Sequence, residues 1–186
     1  MLNKKRSFLI FFFIILSLEV KASFNSDAFT KAKSYLTQNS KNFANQNYLV
    51  TIDYSKPSHE KRFHLYDLKN KKHLTYLVAH GKGSDPQHTG KAIHFGDVEA
   101  SKMTSLGFFK TLDTYIGQHG YSLKLEGLSE SNKNAFKRLI VIHGASYVDP
   151  SRKILGRSWG CPALENRFTQ EIIDKIKGGA LIYAFK

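Results

Sequence analysis

The chain opens on Lys4, Lys5 and Arg6, followed by an almost uninterrupted apolar run from Phe8 to Leu18. That run has the length of a signal h-region and falls well short of the roughly 20 residues that cross a bilayer. Val20-Lys21-Ala22 follows, with small residues where a signal peptidase reads, so cleavage is expected between Ala22 and Ser23. The pattern then changes. Ala28, Ala32, Tyr35, Leu36 and Phe43 recur at helical spacing, and Ser26 and Asp27 offer a cap, which predicts a helix over Asn25–Asn45. Past a polar break at Asn42–Asn47 the period becomes that of strands. Tyr48–Ile52, Arg62–Leu68 and Leu74–Ala79 read as strands, the last two as a hairpin turning at Lys69–Lys72.

Loops are expected at His80–Pro86, from their Gly and Pro content, and at Gly90–Ser105. Gly107–Leu112 and Tyr121–Leu125 read as further strands, and Ser129–Asn134 as a loop or one turn of helix. Leu139–Ile142 is apolar at every position, the mark of a strand buried on both faces. Asn166–Lys177 is an amphipathic helix with Phe168, Ile172, Ile173 and Ile176 inward. Gly178-Gly179 stops it, and Ala180–Phe185 is a last strand. The three parts are a leader (1–22), an N-terminal helical segment (23–47) and one β-dominated domain (48–186) with a late helix.

Composition narrows the chemistry. The 186 residues include 28 Lys+Arg against 15 Asp+Glu, a formal charge of +13. Met1–Ala22 carries four of those cations and one anion, so the remainder keeps about +10. Nucleic acid is the common partner of a basic chain, but an exported protein meets acidic headgroups and carboxylate-bearing cell-wall peptides first. A basic surface kept for solubility is the plainer reading. One cysteine excludes an internal disulfide framework and a multi-cysteine zinc site.

That cysteine is Cys161, within Gly156-Arg157-Ser158-Trp159-Gly160-Cys161-Pro162. It is an inert buried thiol, half of an intermolecular disulfide, or a nucleophile. The glycines let the backbone turn sharply and aim amides at a ligand. His143-Gly144 directly follows the buried strand, 18 residues before the cysteine. A free thiol is only a few per cent ionised near neutral pH, so an imidazole in reach would activate it. No Asp or Glu adjoins His143, which leaves a backbone carbonyl, Gly144 being nearest, to orient the ring.

Ile142-His143-Gly144-Ala145 and Gly156–Leu164, with Ser-Trp-Gly-Cys-Pro-Ala-Leu at the centre, resemble the murein L,D-transpeptidase catalytic-domain family, the YkuD-like fold. Ala79–Lys82, Ser105–Phe108 and His119–Leu123 extend the resemblance across about Tyr48–Phe185. It implies a mainly β (α+β) fold, a β-sandwich or barrel with an N-terminal helix and one late helix. It further implies a periplasmic or secreted enzyme acting on peptidoglycan stem peptides, with no cofactor and no metal. Cys161 would attack a stem carbonyl to give a thioester, which an amine of a second stem resolves. His143 would be the base and the Gly144 carbonyl its orienter. Backbone amides of Trp159, Gly160 and Cys161 would form the oxyanion hole, and Arg157, Ser158 and His119 would bind substrate. Two positions depart from the commoner motif: Trp159 stands where a His is usual, and Ala163 where an Arg is usual.

Other readings use the same residues. Water in place of the amine makes a carboxypeptidase or endopeptidase; a vestigial pocket makes a non-catalytic wall-binding protein. A sortase is set aside because its His–Cys gap is longer, and papain-like and NlpC-type peptidases because their Cys precedes their His. His80, His88, His94 and His119 fall in expected loops without His-x-His or His-Glu-x-x-His spacing, a weak signal for zinc.

Overall fold

In the computed structural model, which describes residues 26–186, strands dominate. The leader and its expected cleavage site lie outside the described residues. Helix α1 (Ser26–Gln38) buries Ala28, Ala32 and Leu36 along one face, four residues apart, and so docks on the sheet. It is shorter than its pattern predicts. A 3-10 turn at Ser40–Asn42 breaks it and lets Phe43 fold in beneath Leu36.

Nine strands follow: β1 (Tyr48–Asp53), β2 (Phe63–Asp67), β3 (Lys72–Tyr76), β4 (Val78–Ala79), β5 (Gly107–Gly117), β6 (Gly120–Gly127), β7 (Val141–Ala145), β8 (Ala163–Glu165) and β9 (Leu181–Phe185). Their order is β3-β2-β1-β9-β5-β6-β7-β8-β4. The two ends of that order are consecutive in the chain. Lys72–Tyr76 pairs with β2 at one edge, and after Leu77 the same extended run pairs with β8 at the other. One stretch of backbone thus spans both edges and nearly closes the sheet, which removes most unpaired edge. β1 runs parallel to β9 and β7 parallel to β8; the other neighbours are antiparallel.

The interior is filled by Val50, Ile52, Phe63, Leu65, Phe109, Leu123, Leu125, Ile142 and Ile182 among others. Helix α2 (Asn166–Ile176) adds Ile172, Ile173 and Ile176 to this core, with Phe168 half-buried at its edge. A second cluster lies between α1 and the sheet, where Tyr35 stacks on Phe108 with centroids 3.9 Å apart. Among the described residues no helix is long and apolar enough to cross a membrane.

The central strand differs from its sequence signature. It begins at Val141 and runs through His143 and Gly144 to Ala145. Leu139 has φ +57° and is 76% exposed, closing a series of turns, and the Ile140 amide donates back to the Ala135 carbonyl. Apolarity at Leu139 therefore belongs to a surface and not to a core. His143 consequently lies within a strand, paired with Ala163 of β8, instead of just beyond one.

Candidate active site

Strand pairing brings the two ends of the sequence motif together. His143 is the Cα partner of Ala163, two residues beyond Cys161, in the parallel pair β7–β8. Continued back by two residues, the register sets Cys161 beside Val141, and the Val141 amide donates to Cys161 Sγ at 3.4 Å. An even offset keeps side chains on one face of a sheet. That holds for Val141 and His143 on β7; Cys161 lies just before β8 begins, beside Val141.

The imidazole is buried and oriented. His143 Nδ1 lies 2.8 Å from the Gly144 carbonyl, which only accepts, so the proton sits on Nδ1 and Nε2 keeps a free lone pair. His119, at the β5–β6 turn, stacks on this ring with centroids 4.3 Å apart. Burial lowers the His143 pKa; the Gly144 carbonyl opposes that and the neighbouring His119 adds to it. The resting ring is a neutral base.

The thiol is half-buried, and its S–H is directed at the Leu139 carbonyl, 3.7 Å away. Burial pushes the thiol up from its ordinary pKa, while the Val141 amide and Arg138 pull it back. Among the described residues His143 and Cys161 make no hydrogen bond to each other. Meeting the imidazole requires the sulfur to leave the Leu139 carbonyl. Such contacts commonly tighten only when substrate binds.

The loop carrying Cys161 is held by backbone and by two side chains. Ser158 Oγ donates to the Cys161 carbonyl at 2.6 Å and accepts from the Gly160 amide at 3.1 Å. That hydroxyl is spent inside the loop and is buried, so it is not presented to substrate. The Gly160 amide is likewise occupied, whereas the Trp159 and Cys161 amides donate to no acceptor among the described residues. Gly160 has φ +122°, and a Cβ there would lie 2.7 Å from the Met103 carbonyl, so only glycine lets the two loops touch. Arg157 places one guanidinium nitrogen on the Asp85 and Pro86 carbonyls. It braces the neighbouring loop through that nitrogen, and its Nε and other terminal nitrogen hold no acceptor among the described residues.

Two supports were not legible in the motif. Arg138 reaches through the site with both terminal nitrogens: one donates to the Gly96 carbonyl, Asp97 Oδ1 and Ser105 Oγ, the other to Ser101 Oγ and the Met103 carbonyl. It fixes the irregular 96–105 loop against Gly160. The second support is a buried relay. Arg62, fully enclosed, donates to the Val78 and Lys56 carbonyls and to His80 Nδ1 at 2.7 Å. His80 Nδ1 must then accept, so the His80 proton is on Nε2 and points at Asp85 Oδ2, 3.3 Å away. Asp85 is closed off by the Thr89 and Gly90 amides. The His80 carbonyl in turn receives the Ser158 amide, and the Lys82 amide donates to the Ser158 carbonyl. The relay thus holds the strand edge on which the Cys161 loop hangs.

A cleft of about 290 Å³ is lined by Tyr115, Lys124, Phe136, Leu139, Ile140 and Val141; the thiol and His143 do not line it, but Sγ touches the backbones of Leu139 and Val141 at its edge. Trp159, 73% exposed, stands on the surface with Lys102 over its ring at 4.6 Å. Ala163 is fully buried, packed with Leu77, Ala79, Ala145, Val148 and Leu155. Among the described residues no three His, Cys, Asp or Glu side chains converge as metal ligands would.

A family model described as L,D-transpeptidase catalytic domain matches residues 20–185 of the chain. Solved structures with a similar backbone include an L,D-transpeptidase from Mycobacterium smegmatis, 14% identical with a TM-score of 0.47, covering 75% of this chain and 59% of that one. L,D-transpeptidase 3 from Mycobacterium tuberculosis is 11% identical with a TM-score of 0.49, covering 75% and 61%. The helical cell shape determining protein Pgp2 from Campylobacter jejuni is 13% identical with a TM-score of 0.48, covering 77% and 49%. The chain thus spans between 49% and 61% of the length of these three proteins. No curated protein sequence matches it.

Proposed function

The chain belongs to the L,D-transpeptidase catalytic-domain family, and on that premise we propose that it is a cysteine acyltransferase of peptidoglycan, exported by a signal peptide cleaved after Ala22. In this reading Cys161 attacks the carbonyl of a stem peptide. The His143 Nε2 lone pair takes the thiol proton as the C–S bond forms, and passes it to the departing amine as the C–N bond breaks. The acyl group then waits on sulfur as a thioester until an amine of a second stem displaces it. The free Trp159 and Cys161 amides are the donors available to the tetrahedral oxyanion; each such donor is typically worth about 2.7–4 kcal/mol in the transition state.

One observation carries the reading: a buried imidazole, proton fixed on Nδ1 by the Gly144 carbonyl, lies two residues along β7 from Val141, whose amide touches the chain's single thiol. The raised thiol pKa fits this, because a protonated thiol beside a neutral base needs transfer during attack and not a preformed ion pair.

The test is mass spectrometry of the intact protein mixed with a tetrapeptide stem, then with an acceptor amine. The expected result is an acyl adduct on Cys161 that is discharged to a cross-linked product, with no adduct on Cys161→Ala and at least 100-fold slower acylation of His143→Ala. Discharge to water alone assigns the hydrolytic reaction instead. A wild-type thiol that never acylates defeats both.

A further inference from the structure

We propose that Lys124 makes the cleft beside Cys161 a recognition site for a peptide carboxylate, which deepens the peptidoglycan reading above and rests on it. Three strands set the geometry. Lys124 on β6 is the Cα partner of Val141 on β7, and the Val141 amide is the group that touches Cys161 Sγ. Lys124 and Val141 are therefore cross-strand neighbours, and the Lys124 backbone lies about two strand spacings, roughly 10 Å, from that of Cys161.

The cleft is apolar except at one point. Tyr115, Phe136, Leu139, Ile140 and Val141 supply its walls, and Lys124 is the one charged side chain lining it. Tyr115 is 37%, Phe136 55% and Leu139 76% exposed, a cost in water that a bound apolar segment would remove. Lys124 lies over the Tyr115 ring at 5.6 Å and forms no salt bridge among the described residues. Nearby sheet and helix cations are matched: Lys110 with Glu126, Lys175 with Glu171, Lys177 with Asp174.

The other cations around the sulfur are committed elsewhere. Arg138 is paired with Asp97, Arg157 braces a loop through one nitrogen and does not line this cleft, and Lys102 lies on Trp159 outside it. The position two beyond the cysteine, where the family commonly has Arg, is the buried Ala163. Lys124 is thus the cation facing this cleft, and the ligand that fits it has an apolar body and a free carboxylate.

The carboxylate has two possible sources in a stem peptide, its C-terminus or an internal side chain. Three versions of a tetrapeptide stem separate them: unmodified, amidated at the C-terminus, and amidated at every other carboxylate. Binding of each to the Cys161→Ala protein is measured by calorimetry. The expected result is that one amidation weakens binding about tenfold, as loss of a charge-assisted contact does. Lys124→Gln should abolish that difference, Lys124→Arg should keep it, and Lys102→Gln should leave it unchanged. Whichever amidation matters names the source. Equal weakening of all three peptides by Lys124→Gln, no effect of either amidation, or no binding of any peptide overturns the proposal. Acylation of the wild-type thiol is scored separately: carboxylate-dependent binding without any acyl adduct defeats the transferase reading and leaves the Lys124 site standing.

Discussion

Acid should unfold this protein through two histidines before it touches a carboxylate. His64 and His80 are 2% and 1% exposed, and each is pushed down to about 4. For His64 the causes are burial, then His73, whose ring lies against it with Nδ1 and Nε2 3.0 Å apart; for His80 they are burial, then the Arg62 guanidinium. In the unfolded chain both rings titrate near 6.5. Between pH 6.5 and 4 the unfolded state therefore binds protons that the folded state refuses, and stability falls as pH falls. Linkage gives about 2 kcal/mol lost per ring at pH 5 relative to pH 7, about 4 kcal/mol for the pair if they act independently. That is a large part of the 5–15 kcal/mol that holds a typical domain. Asp85, whose carboxyl is held below its ordinary range by backbone donors against the cost of its burial, contributes stability that is present above about 3.8 and is lost only below it. The window from pH 7 to 5 thus isolates the imidazoles, with His73 and His143, also lowered by burial, adding in the same direction. Urea unfolding followed by far-UV circular dichroism at pH 7 and 5 measures the loss, and His64→Phe should remove about half of it. Free energies at the two pH values that agree within about 0.5 kcal/mol would refute the burial argument.

Gly160→Ala forces a Cβ to 2.7 Å from the Met103 carbonyl at φ +122°; a loss of about 2 kcal/mol in urea unfolding and a large drop in Cys161 acylation are expected, and a fully active variant would show the loop contact to be dispensable. Arg138→Gln leaves Asp97 without its partner and removes a cation that lowers the Cys161 pKa. Stability should fall by about 3 kcal/mol and the pH midpoint of iodoacetamide labelling at Cys161 should rise; an unmoved midpoint would contradict the electrostatic link. Tyr54 carries a buried hydroxyl with no hydrogen-bond partner among the described residues. Tyr54→Phe should therefore be neutral or stabilising by up to about 1 kcal/mol, and a clear loss in thermal unfolding would reveal a partner for that oxygen.

Local patterning made the strands and both helices readable, because their period is set by a single buried face. What escaped was whatever depended on distant contacts. β8 is three residues long and its apolar content is hidden inside the Cys161 motif, so nothing in Ala163–Glu165 announces a strand; it exists because β7 and β4 flank it. Leu74–Ala79 looks like one strand and is in truth two half-strands serving opposite edges, a division that only closure of the sheet creates. Of the site, Cys161, His143 and the Gly144 carbonyl were legible because their spacing and neighbours are chemical. Arg62 and Arg138 were not, since a lone Arg in sequence carries no sign that it is buried; a basic residue amid strand alternation at Arg62 is the one trace. Ser158 and Arg157, read as contacts for substrate, take part in loop bracing through acceptors three residues and 72 residues away, respectively.

The two departures from the family motif become one arrangement once packing is considered. An Arg at position 163 would have to enter a cluster of Leu77, Ala79, Ala145, Val148 and Leu155, where an unpaired guanidinium costs several kcal/mol. Ala163 therefore forbids a cation on that side of the sulfur. The basic groups that remain near Cys161 sit on other elements: Arg138 at the end of the turn before β7, which tunes the thiol and fixes the 96–105 loop, and Lys124 on β6, which faces the open cleft. A His at 159 is equally unnecessary for proton transfer, because the ring on β7 already has its tautomer set by Gly144, and Trp159 on the surface donates nothing to the sulfur. On the proposed mechanism, both departures leave the His143 and Cys161 pair in place. Restoring Arg at 163 alone should destabilise the fold and leave substrate affinity no better, whereas Lys124→Gln should weaken binding in a protein that unfolds at an unchanged urea midpoint. The reverse pattern, improved binding by Ala163→Arg in a stable protein, would place the carboxylate on the far side of the sulfur.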